Sequence, residues 1–167
     1  MKKIENINFY MQNAVDLAQK LIGKYLCRKI GKDVFKAKIT ETEAYLGETD
    51  SASHAYRGKT IRNSVMFQEG GVCYVYLCYG IHNLLNIVSG EKNNPQAVLI
   101  RAVEGTEGPG RVAKKFSIDR TLNGKSVLEN EIWIEEGEIP KQIQKLPRVG
   151  IGYAKQEDQE KLWRFRI

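Results

Sequence analysis

Residues 38–50 read KITETEAYLGETD. An extended backbone there projects Glu41, Glu43 and Tyr45 from one face, and at about 3.3 Å per residue the two carboxylates stand roughly 7 Å apart. Acidic side chains are depleted from strands, and neighbouring carboxylates repel. Two of them flanking Thr42 and followed by an aromatic mark either a site or a solvent-facing edge strand whose charges discourage aggregation. The segment alone leaves both readings open.

Working outward, Gly31-Lys32-Asp33 is a turn that joins a strand over Tyr25–Ile30 to one over Val34–Tyr45. Upstream, Ala14, Leu17, Ala18 and Leu21 recur at helical spacing, which predicts an amphipathic helix over Asn13–Ile22, capped by Asn13 and stopped by Gly23. Downstream, Gly47–Asn63 is polar and aperiodic, a long loop carrying His54, Tyr56, Arg57, Lys59 and Arg62. Loops of that length in compact proteins often carry function. Further strands are expected at Val72–Cys78, Leu84–Ser89, Ala97–Glu104 and Ile132–Ile134, with one more at Val149–Tyr153. Tyr79-Gly80-Ile81-His82-Asn83 reads as a hairpin tip, and Pro109 opens a helix running to about Ile118. With no repeat, low-complexity tract or linker, the pattern predicts a single α+β domain over residues 1–167.

Composition narrows the function classes. The chain has 167 residues, 42% hydrophobic and 28% charged, which is ordinary for a globular protein. No apolar run approaches the roughly 20 residues of a membrane span, and the start, MKKIENINFYMQN, lacks an apolar signal core. Neither membrane insertion nor secretion is expected. Cys27, Cys73 and Cys78 are odd in number and form no CxxC pair, which points to reduced thiols. His54 and His82 are the only histidines, so no metal site and no cofactor are expected. Lys and Arg outnumber Asp and Glu by 26 to 20, and the resulting +6 suits an anionic partner such as nucleic acid.

Two more residues stand out. Arg101 interrupts the apolar strand AVLIRAVE, where a guanidinium is costly unless a carboxylate or phosphate pairs with it; Glu41 and Glu43 are the candidates. Tyr79 places a large ring beside Gly80 at a turn facing water. Aromatics so placed either fold back on their own hairpin or insert between DNA bases. Tyr74 and Tyr76 share a strand face, so one is expected to line a pocket while the other packs.

These positions fall inside blocks that resemble the alkyladenine (3-methyladenine) DNA glycosylase family. The blocks are ITETEAYLGETDSASHAYRGKTIRN, then MF before a glycine turn, then YVYLCYGIHNLLNIV and AVLIRAVE, with weaker collinear similarity through GPGRVAKKFSI, LNG, RVGIGYA and WRF. The resemblance implies a curved, mainly antiparallel sheet or roll with peripheral helices and a protruding hairpin. It assigns Glu43 as the base that activates water, and Arg101 as the group holding that water and the sugar-phosphate. Tyr45, His54 and Tyr76 become the walls of a flipped-base pocket, Asn86 the residue that rejects normal guanine, and Tyr79 the wedge left in the duplex. The implied partner is double-stranded DNA containing damaged purines. The implied actor is a monomer, cytoplasmic in a bacterium or nuclear in a eukaryote. Family members carry a proline after the Met-Phe pair where this chain has Gln68-Glu69-Gly70-Gly71, so a looser turn is expected there. On residues alone, a sugar or nucleoside hydrolase using Glu41 and Glu43, and a lesion-binding protein without catalysis, remain as alternatives.

Overall fold

A computed structural model describes residues 1–167. Nine strands build the fold: β1 (Tyr25–Ile30), β2 (Asp33–Tyr45), β3 (Cys73–Cys78), β4 (His82–Ser89), β5 (Gln96–Val103), β6 (Thr106–Glu107), β7 (Ile132–Glu135), β8 (Gln144–Leu146) and β9 (Arg164–Arg166). Three helices accompany them: α1 (Ala14–Leu21), α2 (Pro109–Lys115) and the single turn α3 (Gln156–Gln159). Every pairing is antiparallel. The order β3-β4-β5-β2-β1-β7 forms the main path; β6 folds back on β5, and β9 pairs with both β2 and β8. The sheet curls into a half-barrel, so the α+β class with a curved antiparallel sheet holds. No helix is long and apolar enough to cross a membrane.

The long strand β2 organises the rest. Its first half pairs with β1 through Tyr25↔Lys38 to Ile30↔Asp33, and its second half pairs with β5 on one edge and β9 on the other. Between Ile39 and Thr42 the β2–β5 register slips twice, leaving Thr40 extra on β2 and Arg101 extra on β5. A bulge adds one residue and so reverses which side chains face the core. Ala37 and Ile39 are core residues before the slip and Ala44 after it; on β5, Val103 is core on one side and Val98 and Ile100 on the other. That switch turns Glu41, Glu43 and Tyr45 away from the apolar side and aims Arg101 at them. Thr42, left facing inwards, satisfies its hydroxyl by donating to the Ala18 carbonyl at 2.8 Å, which ties α1 to the sheet.

Helix α1 matches its expected span. Asn13 accepts from the Val15 N–H at 2.8 Å, and Ala14, Leu17, Ala18 and Leu21 are all buried in the main core of 27 residues. Gly23 adopts φ +85°, and a Cβ there would stand 2.3 Å from the Glu138 carbonyl oxygen, so the helix stop also admits a close chain crossing.

Four expectations need correction. Val149–Tyr153 is an irregular loop, not a strand: the Val149 N–H is committed to a side chain, and Ile151 and Ala154 pack on Ala52 in a small separate cluster. The strands near it are β8 and β9, each three residues long and mostly polar, too short for the Arg-Phe-Arg alternation of β9 to stand out. The hairpin tip is only Tyr79-Gly80-Ile81, because pairing already begins at Cys78↔His82. The Gly70-Gly71 turn is not loose, since both N–H groups are bonded, to Gly90 and Val88 carbonyls at 2.9 Å, and a Cβ on Gly70 would meet the Tyr10 carbonyl at 2.4 Å. Helix α2 also ends at Lys115, earlier than expected, with Ser117 turning the chain at φ +47°.

Candidate functional site

Glu43 is fully buried, yet it is not core filler. Its Oε1 accepts from the Val149 N–H at 2.8 Å, and its Oε2 accepts from the Tyr45 hydroxyl at 2.8 Å. Arg101 Nε lies 3.4 Å from Glu43 Oε1 and donates to Glu41 Oε1 at 3.1 Å, so one guanidinium stands between the two carboxylates. Burial pushes the Glu43 carboxyl above the usual range, and Arg101, the Val149 N–H, Tyr45 and Arg148 pull it back only in part. A buried carboxyl raised by desolvation and held by a fixed set of donors makes Glu43 the candidate proton acceptor of this region. Glu41 differs: its Oε1 also accepts from Arg164 Nη1 at 3.1 Å, so two guanidinium groups occupy a single oxygen.

A narrow cleft enclosing about 320 Å³, mouth included, opens on the far side of Tyr45, whose hydroxyl bonds Glu43; Glu43 and Arg101 lie behind its wall and do not line it. Tyr45, His54, Tyr76 and Asn86 all line it, as the resemblance implies, together with Tyr74, Met66 and Tyr153. The His54 and Tyr76 rings meet edge to face at a centroid distance of 4.3 Å, and the Tyr74 and Tyr76 rings are 5.5 Å apart. His54 Nδ1 sits 2.9 Å from the Tyr74 hydroxyl. Burial, with Arg62 nearby, lowers the His54 pKa and keeps the imidazole neutral around neutral pH. Burial raises the Tyr74 phenol to about 12 and the Tyr76 phenol further still. The walls are therefore uncharged π surfaces. Asn86 donates from Nδ2 to the Tyr74 carbonyl at 3.2 Å, which fixes its amide in the wall.

Tyr79 stands apart from the cleft, at the hairpin tip. It is 89% exposed, and its φ of +51° is followed by Gly80 at +69°. The Ile81 N–H donates to the Cys78 carbonyl at 3.2 Å, which closes a turn with both central residues at positive φ. Glycine tolerates that conformation and tyrosine does not, so the ring is displayed at a cost to the backbone.

Sequence reasoning missed several members. Arg148 is wholly buried and forms a two-pronged pair with Asp50, at 2.6 Å to Oδ2 and 2.8 Å to Oδ1. Tyr153 lines the cleft and donates to the Ala52 carbonyl at 2.7 Å. Tyr74 lines the cleft too, so the expectation that only one of Tyr74 and Tyr76 would do so is corrected. The Val149 N–H leaves no trace in side-chain chemistry at all. Their signal in the sequence was only that they fall inside the blocks carrying the resemblance, Asp50 in ITETEAYLGETD and Arg148, Val149 and Tyr153 in RVGIGYA.

The fold and the cleft define an α+β protein with an aromatic-walled slot, suited to a flat ring, beside a buried carboxylate and arginine. The chain belongs to the methylpurine-DNA glycosylase family, whose model matches residues 8–107 and 104–167. A protein of Borreliella burgdorferi strain ZS7 named "Putative 3-methyladenine DNA glycosylase" is 44% identical over 173 residues, spanning 95% of this chain and 93% of its own. Proteins of the same name from Methanocella arvoryzae and Clostridium beijerinckii are 41% and 39% identical, over 95% and 98% of this chain and 89% and 95% of theirs.

Proposed function

We propose that residues 1–167 act as one domain, and as a monomer, to excise damaged purines such as 3-methyladenine from double-stranded DNA by hydrolysing the N-glycosidic bond. The observation that carries this reading is the Glu43–Arg101 pair beside an uncharged aromatic cleft. Tyr45, His54 and Tyr76 take the flipped base between their rings, and Tyr79 fills the gap in the stack. An N-alkylated purine is cationic; between tyrosine rings it gains about 1–2 kcal/mol of cation–π attraction, and the neutral His54 does not repel it. Such a base leaves without a general acid, so a single carboxylate suffices. Glu43 takes the proton from the attacking water and stabilises the oxocarbenium charge on the sugar. Arg101 steadies that water and the sugar-phosphate, and Asn86 crowds the exocyclic amine of guanine.

Both Glu43 oxygens already accept one hydrogen bond, and each keeps a second lone pair. Since the carboxylate is fully buried, water reaches it only as Tyr45 or the Val149 segment yields. No lysine lines the cleft, so the reaction ends at an abasic site without strand cleavage. The arrangement disfavours the sugar hydrolase reading, because one oxygen of Glu41 is taken by both Arg101 and Arg164, whereas Glu43 is the carboxylate bonded to the cleft-lining Tyr45.

The test is release of free base from methylated duplex DNA, and from an oligonucleotide carrying hypoxanthine, with chelator present. Release that is abolished by Glu43→Gln supports the proposal. Lesion binding by the wild-type protein without any release would replace it with a non-catalytic binder.

A further inference from the structure

Arg148 has no role in the scheme above, yet it touches every part of the scaffold around Glu43. Besides its pair with Asp50, its Nη1 donates to the Ala44 carbonyl at 2.9 Å and its Nη2 to the Asp158 carbonyl at 3.3 Å. Its guanidinium carbon lies 4.8 Å from the Tyr45 ring centroid and 4.9 Å from that of Trp163, a cation between two aromatic faces. Asp50 in turn accepts from the Leu46 N–H at 3.0 Å and the Ala52 N–H at 3.1 Å, at the start of the loop that carries His54.

Two of these contacts converge on one carboxylate. Tyr45, which stacks on Arg148, donates to Glu43 Oε2, and Val149, the next residue along the chain, donates its N–H to Glu43 Oε1. We propose that the Asp50–Arg148 pair is the positioning element of the site, holding both hydrogen-bond donors on Glu43 and thereby setting the strength of the base. The inference rests on the glycosylase reading and assigns Arg148 no contact with substrate.

The charge of Arg148 contributes little by itself, because Asp50 neutralises it at contact distance. Its geometry is what matters: a planar fork makes four hydrogen bonds, two to Asp50 and one each to the Ala44 and Asp158 carbonyls, while stacking on two rings, and an ammonium has only three donors and no flat face. The other groups facing Glu43 are Arg101 from β5, Arg164 from β9, Tyr76 from β3, Tyr153 from the loop after β8, and Glu41 and Tyr45 on its own strand. Replacing Arg148 by lysine keeps every one of these side chains and the positive charge, and removes only the fork on which Tyr45 stacks. Losing donors from a carboxylate raises its pKa. The acid limb of the rate profile then moves to higher pH.

The experiment measures single-turnover base release from methylated duplex DNA between about pH 5 and 9 for wild type, Arg148→Lys and Trp163→Leu. Trp163→Leu removes one stacking face at a half-buried position and guards against failure of the lysine variant to fold. For Arg148→Lys, a loss of about tenfold is expected on the acid side of the limb, recovering to within about threefold of wild type on its plateau, which corresponds to a one-unit move of the limb. Trp163→Leu is expected to move the limb the same way by less, while melting curves confirm that both proteins are folded. An unmoved limb in a folded variant, or a uniform loss at every pH, overturns the inference. Absence of base release by the wild-type protein instead overturns the glycosylase reading itself.

Discussion

Tyr45→Phe removes a single oxygen and keeps the ring that walls the cleft. That oxygen donates to Glu43 Oε2 at 2.8 Å, and the acceptor is a fully buried carboxylate. A hydrogen bond to a charged group is worth about 1.5–3 kcal/mol. At 1.36 kcal/mol per pH unit, its loss disfavours ionised Glu43 by about one to two units, nearer one if water fills the vacated space. The sign is fixed by chemistry: the lost donor favoured the charged form, so the carboxyl moves further upwards from a position that burial has already raised. The base is then deprotonated only at higher pH. In single-turnover base release from methylated duplex DNA, the acid limb of the variant is expected to lie about one pH unit above that of wild type. Activity is about tenfold lower on the acid side of the limb and close to wild type above it, with lesion binding unchanged because the ring remains. A limb that stays in place, or that moves to lower pH, would refute the assignment of Glu43 as the titrating base.

Glu43→Gln is expected to abolish base release while retaining lesion binding, and to unfold at the same or a higher temperature than wild type at neutral pH. Because burial raises the Glu43 pKa, the stability linked to its proton is full below the unfolded-state value and lost as pH rises through the folded one, so the advantage of glutamine narrows near pH 4. Thermal melts across that range check the sign. Tyr79→Ala is expected to weaken capture of a lesion duplex by about tenfold, the worth of one stacked ring, while leaving the melting temperature almost unchanged. Tyr79→Gly, free of the positive-φ penalty, should melt slightly higher than Tyr79→Ala. Asp50→Ala strands a buried guanidinium at a cost of about 3–5 kcal/mol, and calorimetry should register a fall of roughly 10 °C. A shift under about 2 °C would mean that water or another carboxylate takes over the pairing.

Much of this protein is legible in one dimension because the physics there is local. The α1 stripe Ala14, Leu17, Ala18, Leu21 follows helical period, and the β2 and β5 runs follow apolar continuity. Two anomalies, paired carboxylates in a strand and an arginine among Ala, Val, Leu and Ile, announced a site because such charges are expensive unless used. The displayed Tyr79 was visible too, as a large ring beside Gly80 at a turn facing water, while its positive φ came only with the fold.

What tertiary structure alone decided concerns groups that carry no local signature. The double register slip at Thr40 and Arg101 exchanges core and site faces on two strands at once, and it exists only because the strands pair. The Val149 N–H is a donor that every non-proline residue owns; nothing in its sequence neighbourhood says that it will meet a carboxylate 106 positions away. Arg148 and Asp50, 98 positions apart, each look like surface charges and become a buried pair between Tyr45 and Trp163 only when the chain closes. The sequence by itself determined which chemistry the chain carries, through residue types whose burial or strain demands a reason. Only the fold decided which donors hold Glu43 and which guanidinium groups hold Glu41, because hydrogen-bond geometry across long separations is set by packing and not by composition.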